Sequence, residues 1–526
     1  MLSNSIVGAQ GIRPIEIGRT SALSYAALAI LLLASGWVAQ SSTLNHDSGW
    51  YLQATRMLLE GGRLYQDIIE VNPPLAFILH VPPVWLGRVL GVSPIDLFLA
   101  WVFVAIGVSL VLCHVIIRNL PIAAYERTGL LAAVLAGLVL GSWQGLGQRE
   151  HFVMIFTLPY LFLAVARASQ VTVSWPSAGT IGTLAAIGFA LKPHFLLIPL
   201  TIEVYLRVIR PTKTSLLRPE TGAVALGFTA CWAATAVFTP LYFSRIVPWA
   251  LTTYDSYSAS ISDVLWNGET ILLPAAILIY ARVRRPGVLR IVIDTCLLAA
   301  VCFWLVHLIQ MKGFPYHRFP IRTMLIVALG ACLLAAYGAS RSGRVVSGLR
   351  RMLPTAATGV LLVISLGWLV HQGTYKNRFM TAALLLLQAQ VKSGAHTIYV
   401  FSSNVWQAFP AANYAGLHTV SRYPAHWLLP GTTQKEALPG YRMSASEQRT
   451  VQSIEQFVVN SVVEDFRRGK PDLVLVDVRR RKPHFGSSSF DYLKYFSADR
   501  RFAAIWSGYN RVATVKGFDF YSRRRP

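Results

Sequence analysis

Residues 45–74 combine acidic, imidazole and aromatic side chains between two long apolar segments. Asp47 lies just after the first apolar segment, where a carboxylate can act as a general base on an acceptor hydroxyl group. The alternative is that Asp47 only caps a helix that begins near Ser48, because aspartate is a favoured N-cap residue. The sequence leaves both interpretations of Asp47 open.

The same stretch contains further side chains that could contact a sugar, namely His46, Trp50, Tyr65 and Glu70. Aromatic rings can stack on sugar rings, but they also anchor proteins at membrane interfaces, which is the more common role. Glu70 could contact a substrate, a metal ion or water, or it could bond only to the backbone of its own loop. We therefore treat these four residues as candidate sugar-binding or acceptor-binding residues.

More ionisable side chains gather at three later turns between apolar segments. They are Arg149, Glu150 and His151 in the first turn, Lys192 and His194 in the second, and Lys312, His317 and Arg318, beside Tyr316, in the third. Ionisable groups at such a depth are rare in membrane proteins unless they have a function. Converging cations can bind a phosphate or a pyrophosphate and stabilise it as a leaving group.

We assign the cations of these turns to donor-phosphate binding, and the other side chains to sugar or acceptor binding. The phosphate-binding candidates are Arg149, Lys192, His194, Lys312, His317 and Arg318. The added sugar-binding or acceptor-binding candidates are Glu150, His151 and Tyr316. Two simpler explanations stay open, namely an ion pair between Arg149 and Glu150 and the snorkelling of Lys312 and Arg318 to lipid headgroups.

The composition predicts that membrane spans position these residues. The chain of 526 residues is 54% hydrophobic and only 14% charged, whereas soluble proteins carry roughly 25% charged residues. The formal net charge is +24, and much of it lies in short loops between apolar segments. The positive-inside rule places those basic loops, and the N-terminus with them, in the cytoplasm.

Apolar segments of span length predict a mostly α-helical polytopic membrane protein with about eleven crossings. The predicted spans are 21–40, 96–117, 128–143, 152–166, two short spans within 178–206, 220–240, 269–281, 291–310, 321–338 and 354–371. The two short spans turn at Lys192-Pro193, because one long helix would bury a lysine at a cost of about 2.5–3.5 kcal/mol. We interpret 21–40 as an uncleaved span, since it is too long for a signal peptide.

Residues 373–526 predict a separate external α/β domain. Strand-like segments at 396–401, 471–477 and 511–515 alternate with helical segments at 446–468 and 490–496. The chain therefore divides into a transmembrane catalytic part, 1–372, with the external loop 41–95, and this soluble part. The five cysteines all fall in apolar segments, which excludes a disulfide framework. The sequence contains no Walker loop and no dinucleotide fingerprint, so a nucleotide-sugar donor is not expected.

The order of these features resembles the GT-C superfamily of membrane glycosyltransferases. The layout is most similar to transferases that use dolichyl- or undecaprenyl-phosphate sugars, including protein mannosyltransferases and the aminoarabinose transferase of lipid A. The resemblance covers about residues 20–372 and depends on four motifs. These are HDSGWYLQATRMLLEGGRLYQDI in the first external loop, EVNPPL after it, KPH between the two short spans, and KGFPYHR before the tenth span.

This resemblance implies an inverting sugar transfer (EC class 2.4) at the external face of a bacterial inner membrane. The donor would be a polyprenyl-phosphate sugar and the acceptor a hydroxyl group of a glycan, lipid or protein, with no nucleic acid involved. Asp47 matches the position of the family's catalytic acid. Ser48 stands where the family often has a second acid, so no metal ligand is assigned, a divalent metal stays open, and no other cofactor is expected. The α/β domain would recognise the acceptor or cap the site.

Two other functions stay open. A lipid-linked glycan ligase would use the same carriers, but its large external loop rich in arginine and histidine is replaced here by the short loop 312–320. A transporter or flippase of polyprenyl lipids would favour repeated halves and charges inside spans. The sequence has no evident repeat, and most charges lie at the ends of the spans.

Overall fold

The computed structural model describes residues 19–209, 218–282, 287–341, 360, 363–364, 366–438 and 440–524. Half of the last predicted span, 354–371, lies outside these residues. The same is true of Arg13 and of much of three predicted basic loops, including Arg210, Lys213, Arg284, Arg285, Arg344, Arg350 and Arg351. Within the described residues the chain is mostly helical, and a small sheet lies near its C-terminus.

Helices α1 to α15 make up the part of the chain before residue 342. Their bounds are α1 Arg19–Gln40, α2 His46–Leu59, α3 Leu75–Ile78, α4 Val81–Leu90, α5 Pro94–Ile117, α6 Ala124–Val139, α7 Arg149–Ala168, α8 Trp175–Ala190, α9 Leu197–Ile209, α10 Pro219–Phe238, α11 Val247–Thr253, α12 Ile261–Leu265, α13 Gly268–Arg282, α14 Val288–Gln310 and α15 Phe319–Arg341. Helices α1, α5 to α10 and α13 to α15 lie at the first ten predicted spans.

The protein is a multi-pass membrane protein. Among the described helices, five are long and apolar enough to cross a membrane by themselves: Pro94–Ile117, Arg149–Ala168, Pro219–Phe238, Val288–Gln310 and Pro315–Gly338. The count of eleven crossings stays a prediction, because several helices are shorter than a full span and half of the last predicted span lies outside the described residues. The predicted break between two short spans is confirmed, since α8 ends at Ala190 and a 3₁₀ turn, Pro193–Leu196, precedes α9.

Helix α7 lies at the centre of the helical part. Almost every residue from Arg149 to Ala168 is buried, and α5, α8, α14 and α15 pack around it. An apolar helix that is hydrophobic all round belongs inside a bundle. Because α7 begins with Arg149 and Glu150, this packing fixes two charged side chains at the end of the bundle.

The loops between spans form a second layer, which we call the loop layer (residues 41–93 and 239–267). It contains α2 to α4 and α11 to α12, and several of its aromatic side chains are buried, with Trp50 at 1% and Tyr65 and Phe77 at 0% exposure. Gly61 follows the C-cap of α2 and has a φ of 95°, a conformation that glycine adopts without strain. Because aromatic side chains of the 41–95 loop are buried, this loop is a packed element of the structure.

The C-terminal part is an α/β unit, as the sequence predicts. Its helices are α16 Arg378–Lys392, α17 Ala411–Ala415, α18 Leu429–Ala437, α19 Ala445–Gly469, α20 Tyr492–Ser497 and α21 Arg500–Trp506, and its strands are β1 Thr397–Phe401, β2 His418–Thr419, β3 Leu473–Asp477, β4 Tyr509–Val515 and β5 Phe518–Arg523. The strand order is β2-β1-β3-β5-β4. Strands β2, β1 and β3 are parallel, whereas β5 is antiparallel to β3 and β4. Strands β2 and β5 are additions to the predicted set.

Both faces of this sheet contribute to cores that it shares with the loop layer. On one face, Ile398 and Leu475 pack in a cluster with Phe379 of α16, and Trp50 and Phe77 of the loop layer belong to the same cluster. The other face packs with α19 and also meets the loop layer, through Tyr65, Ile69 and Trp249. Burying two apolar faces in this way fixes the C-terminal unit over the loop layer.

Candidate active site

Asp47 lies in the first turn of α2, with its carboxylate turned towards α7. The backbone N–H of Asp47 donates to Asn45 Oδ1 at 3.0 Å, so Asn45 is the N-cap and the interpretation of Asp47 as the cap is wrong. Asp47 Oδ2 accepts a hydrogen bond from Gln148 Nε2 at 3.1 Å and lies 3.8 Å from Arg149 Nη2. The side chain keeps 18% exposure, which leaves room for a substrate to reach the carboxylate.

Arg149 faces Asp47 from the start of α7, and two tyrosines hold it there. Its Nη1 donates to Tyr51 Oη at 2.6 Å and its Nη2 to Tyr316 Oη at 3.2 Å. Its guanidinium also lies 5.6 Å from the centre of each tyrosine ring, a cation–π distance. The expected ion pair of Arg149 with Glu150 is replaced by a pair between Glu150 and Lys192. Neutral hydroxyl groups therefore fix Arg149, and its contact with the Asp47 carboxylate, at 3.8 Å, is longer than a hydrogen bond.

Asp47 and Arg149 share a cavity of about 120 Å³, which we call the central cavity. Its walls come from the loop layer, the end of α7, the turn before α15 and the C-terminal unit. The lining side chains include His46, Asp47, Trp50, Tyr51, Glu70, Arg149, Tyr254, Tyr257, Phe314, Tyr316, Ser403, Asn404, Trp406 and Trp427. An acid, a cation and many aromatic rings thus meet in one small space.

Four of the predicted sugar-binding or acceptor-binding residues line the central cavity: His46, Trp50, Glu70 and Tyr316. Glu70 is occupied by its own surroundings, because Oε2 accepts from Trp50 Nε1 at 2.9 Å and Oε1 from Asn72 Nδ2 at 2.6 Å. Burial raises the pKa of Glu70. These bonds favour the simpler role for Glu70, in which it orders its loop and orients Trp50.

The structure does not bring the other three, Tyr65, Glu150 and His151, to the central cavity. Tyr65 is fully buried and donates its hydroxyl hydrogen to Asn72 O at 2.8 Å. Both ring nitrogens of His151 are used inside the bundle, by Gly147 N at 3.0 Å and by Leu138 O at 2.8 Å. Tyr65 and His151 therefore stabilise the turns around them, and Glu150 belongs to the cluster described next.

Lys192 and His317 form a buried polar cluster next to Tyr316. Lys192 Nζ donates to Glu150 Oε1 at 2.5 Å and to Gln310 Oε1 at 2.8 Å, and it lies 3.3 Å from His317 Nε2. We call these four residues the lysine cluster. The structure places neither Lys192 nor His317 in the wall of the central cavity, because the carboxylate of Glu150 draws the lysine into the bundle.

The remaining predicted cations also lie apart from Asp47. Lys312 Nζ donates to Tyr254 O at 2.7 Å and to Ser258 Oγ at 3.2 Å, and burial lowers its pKa. His194 is half-buried, with its ring against Phe195. Of the six predicted phosphate-binding residues, Arg149 is the one that the structure brings to the central cavity.

Arg318 lies in a second cavity, of about 430 Å³, between α13, α15 and residues 368–372. Arg318 Nη1 contacts Glu269 Oε2 at 3.0 Å, and Arg322 pairs with the same carboxylate. The rest of the wall is largely apolar, with Leu272, Leu325, Ile326, Leu329, Trp368 and Leu369. Two guanidinium groups share one carboxylate, so the polar end of the second cavity carries a net charge of about +1 if all three groups are ionised.

Several residues that line the two cavities were not among the candidate site residues predicted from the sequence. Arg322 falls inside the predicted span 321–338, and a cation within a span is itself a signal of function. Tyr51 and the residues of the C-terminal unit, such as Asn404 and Trp406, carry no comparable signal. They reach the central cavity only through the tertiary fold.

The donor set around Asp47 does not fit a metal ion. Within the described ranges, no group of three or more histidine, cysteine, aspartate or glutamate side chains is placed to hold a metal. Asp47 is instead bordered by an amide and a guanidinium, and the oxygens of Glu70 already accept hydrogen bonds. No step below is assigned to a metal.

No family model and no curated protein matches the sequence. The structure is similar to that of ArnT from Cupriavidus metallidurans bound to undecaprenyl phosphate, with a TM-score of 0.54 and 12% identity over 96% of this chain and 98% of that chain. The chain has the GT-C fold. This agreement extends beyond the span of the sequence resemblance, because it covers the C-terminal unit as well.

Two further GT-C structures are also similar, at lower scores. They are AglB from Archaeoglobus fulgidus in complex with an inhibitory peptide and a dolichol-phosphate (TM-score 0.42, 9% identity, 96% of this chain and 75% of that chain) and the arabinofuranosyltransferase AftD from Mycobacteria (TM-score 0.43, 13% identity, 95% and 40%). Both scores are too low to carry an argument, so the fold assignment depends on ArnT.

Proposed function

We propose that this protein is a membrane glycosyltransferase that moves a sugar from a polyprenyl-phosphate carrier to an acceptor hydroxyl group. The observation that carries the proposal is the pair of Asp47 and Arg149, which lie 3.8 Å apart in one aromatic cavity. A carboxylate can accept the proton of a hydroxyl nucleophile, and a guanidinium can stabilise the charge of a phosphate leaving group. The GT-C fold, seen in ArnT with undecaprenyl phosphate, supports a carrier of this class.

The reaction takes place in one displacement. The acceptor oxygen attacks the anomeric carbon of the donor sugar while its proton passes to the Asp47 carboxylate. The bond between the anomeric carbon and the phosphate oxygen breaks, and its electron pair leaves with the polyprenyl phosphate. Because the nucleophile attacks opposite the leaving group, the configuration of the anomeric carbon is inverted. No general acid is required, since a phosphate is a good leaving group without protonation.

Arg149 stabilises the leaving phosphate. Tyr51 and Tyr316 hold its guanidinium in place before substrate binds, so little reorganisation is needed as charge develops. The lysine cluster lies behind Tyr316, with Lys192 Nζ 5.9 Å from the centre of that ring. In this proposal Lys192 and His317 position Tyr316, and through it Arg149, and they do not contact the phosphate.

The second cavity holds the carrier. Its surplus positive charge, from Arg318 and Arg322 against Glu269, attracts the phosphate of the incoming carrier, and its apolar wall suits the prenyl chain. The same phosphate contacts Arg149 when the sugar reaches Asp47. The two cavities meet at one turn, because Pro315 lines the second cavity and Tyr316 lines the central cavity. A carrier in the second cavity can therefore extend its sugar towards Asp47. The outer face of the membrane is the proposed side of the reaction, on the basis of the basic loops.

The test is Asp47→Asn in protein reconstituted with a panel of labelled undecaprenyl-phosphate sugars. We expect transfer to fall by about 10²–10⁴-fold, the usual contribution of a general base, with binding of undecaprenyl phosphate unchanged. Asp67→Asn is the matched control, because Asp67 lies in the same loop but pairs with Arg63 and does not line the cavity. A rate for Asp47→Asn close to that of the unmodified protein would show that Asp47 is not the base.

The same experiment distinguishes the two other functions. With a polyprenyl-linked glycan polymer added as a second donor, mass analysis of the product identifies a ligase if the whole polymer is transferred in one step. Movement of labelled lipid across the bilayer without any glycosidic product identifies a transporter. The transporter outcome is not expected, since a base beside a cation has no evident use in moving an intact lipid.

A further inference from the structure

The C-terminal sheet directs two segments at its parallel end into the central cavity. Strand β1 lies between β2 and β3, so the chain passes to one side of β1 and then crosses to the other. Open α/β sheets bind ligands beyond the carboxyl ends of their strands, where the strand order reverses in this way. The segments that follow β1 and β2 supply cavity residues at 403–406 and at 424, 425 and 427. We call them the roof segments.

The roof segments are fixed by bonds to the rest of the protein. Tyr257 of the loop layer donates its hydroxyl hydrogen to Ser403 O at 2.7 Å. His484, which follows β3, contacts Asn404 Oδ1 through Nε2 at 2.9 Å and stacks on Tyr257 at 3.9 Å. Trp427 Nε1 donates to Ile69 O at 3.3 Å. Side chains held from two sides in this way form a preorganised surface over Asp47.

The chemistry of the roof segments matches a carbohydrate. Trp406 and Trp427 offer ring faces, and Asn404 offers an amide beside them. Sugars present apolar C–H faces and hydroxyl edges, which aromatic rings and amides match.

The position of the roof segments indicates that they bind the acceptor and not the donor. The donor phosphate is assigned to Arg149, which with Asp47 forms the part of the cavity wall that we call the floor, and the roof segments line the same cavity. The nucleophile must approach the anomeric carbon from the side opposite the phosphate. The side opposite the floor is the roof. The aromatic and amide side chains of the roof segments face the space beside Asp47 that an acceptor sugar ring would occupy.

We propose that the roof segments form the acceptor subsite and that the acceptor presents a carbohydrate hydroxyl group. This inference rests on the proposed function of the same cavity. Asn404 binds the acceptor sugar through its amide, and Trp406 packs against the ring. The C-terminal unit then sets acceptor specificity, while the membrane helices bind the donor.

The test compares Asn404→Ala and Trp406→Phe in the full-length protein, in lipid nanodiscs, with methyl glycosides of hexoses, pentoses and aminosugars as acceptor probes. We expect the KM for the preferred glycoside to rise at least about tenfold for Asn404→Ala, which corresponds to one lost buried polar contact. The KM for the undecaprenyl-phosphate sugar should stay within about twofold, and slow hydrolysis of that donor by water should persist. Tyr441→Ala is the control, because Tyr441 is an exposed ring of the same unit outside the cavity.

Two results would overturn the acceptor subsite. One is an unchanged acceptor KM in both roof variants. The other is an equal rise of donor and acceptor KM, which would indicate a general disturbance of the cavity. If no donor is hydrolysed or transferred by the unmodified protein, the proposed function fails. Glycoside binding is then measured without donor, by saturation-transfer NMR. Binding that Asn404→Ala weakens supports the subsite, and binding that it leaves unchanged, or none at all, refutes it.

Discussion

The arginines of the two cavities differ in the groups that hold them. In the central cavity, Arg149 bonds to two neutral tyrosine hydroxyls, and its nearest carboxylate contact, with Asp47, is 3.8 Å long. In the second cavity, Arg318 and Arg322 both contact one carboxylate, Glu269. In the first arrangement neutral groups hold the guanidinium, and in the second one carboxylate holds two guanidinium groups and neutralises one of their two charges.

This difference indicates a division of labour between binding and chemistry. A closely paired arginine is held in a fixed position, and its field is weakened by its partner. A guanidinium fixed only by hydroxyls keeps its field for a charge that develops later. The second cavity therefore suits a substrate that is already anionic and must bind reversibly, and the central cavity suits the step in which a phosphate gains charge.

Among the substitutions that test this comparison, replacement of Arg149 should have the largest effect on the rate of transfer. We expect Arg149→Met to lower kcat by about 10²–10³-fold, as for the loss of one preorganised electrostatic group. Arg149→Lys should recover only part of the rate, because a lysine cannot bond to both tyrosines in the same geometry. The measurement is single-turnover transfer at saturating donor.

Arg245→Met is the matched control for Arg149. Arg245 also lies over aromatic rings, those of Trp249 and Phe457, but it does not line the central cavity. Its replacement should leave kcat within about twofold. If Arg149→Met raised only the KM for the donor and left kcat unchanged, the comparison between a binding cavity and a reacting cavity would fail.

Substitutions of Arg322 and Glu269 should have smaller effects, in opposite directions, on the affinity for undecaprenyl phosphate. Arg322→Met removes the surplus charge of the second cavity, and we expect the affinity for undecaprenyl phosphate to fall about tenfold, since one charge-assisted hydrogen bond contributes about 1.5–3 kcal/mol. Glu269→Gln removes the competing carboxylate, so the affinity should hold or increase. Binding is measured in nanodiscs, together with thermal unfolding, because Glu269 is a buried partner of two arginines.

A result in which both variants weaken binding equally would indicate that the Arg322–Glu269 pair only holds α13 against α15. Apolar wall variants provide the control. Leu329→Ala should weaken the binding of long prenyl phosphates but not of a short-chain phosphate, because only the long chain reaches that part of the wall.

Much of the fold was predictable because apolar length and proline are strong signals. The break at Lys192-Pro193 followed from the cost of burying a lysine in one long helix, and it is confirmed at Pro193–Leu196. The strand 473–477 and the long helix 445–469 were also predicted within a few residues. Strand β2 was missed because it has only two residues and pairs with β1. Strand β5 was missed although it follows β4 after two residues, and it also pairs with the more distant β3.

The site was predicted less well, because the sequence does not show which side chain an ionisable residue will pair with in the fold. Glu150 was assigned to sugar binding, but it pairs with Lys192, a residue from another turn. Tyr65 was assigned as a sugar ligand, but the C-terminal unit covers it. Arg322 had a usable signal, since it stands inside a predicted span. The roof residues had none, because loops on a soluble unit contain tryptophan and asparagine for many reasons.

Replacement of His46 should have a moderate effect on the pH dependence of folding stability. Burial lowers the pKa of His46, the charge of Arg149 lowers it further, and Asp47 raises it. The net pKa lies below the ordinary value of about 6.5, so His46 is neutral at pH 7. As the pH falls below about 6.5, the unfolded chain takes up this proton before the folded protein does, and folding stability declines. His46→Gln should lose less stability between pH 7 and pH 5 than the unmodified protein.

The His46 measurement is thermal unfolding at the two pH values, with His418→Gln as the control. Burial also lowers the pKa of His418, but His418 lies on β2, outside the central cavity. His46→Gln should in addition change the acid limb of the rate profile, since His46 Nε2 lies 3.5 Å from Asp47. His418→Gln should not. Identical acid limbs for His46→Gln and the unmodified protein would show that His46 does not act on the base.

Tyr65→Phe should give the smallest effect and locates the boundary of the central cavity. The substitution removes one hydrogen bond, to Asn72 O, and keeps the ring, so we expect a loss of about 1 kcal/mol in unfolding free energy and an unchanged kcat. Tyr316→Phe removes a comparable hydroxyl, but one that holds Arg149, so it should lower kcat with little loss of stability. If Tyr65→Phe lowered kcat as much as Tyr316→Phe does, Tyr65 would act on the reaction through Asn72, which lines the central cavity. If neither did, the hydroxyls would not position Arg149, and its charge would act without the preorganisation that distinguishes the central cavity from the second one.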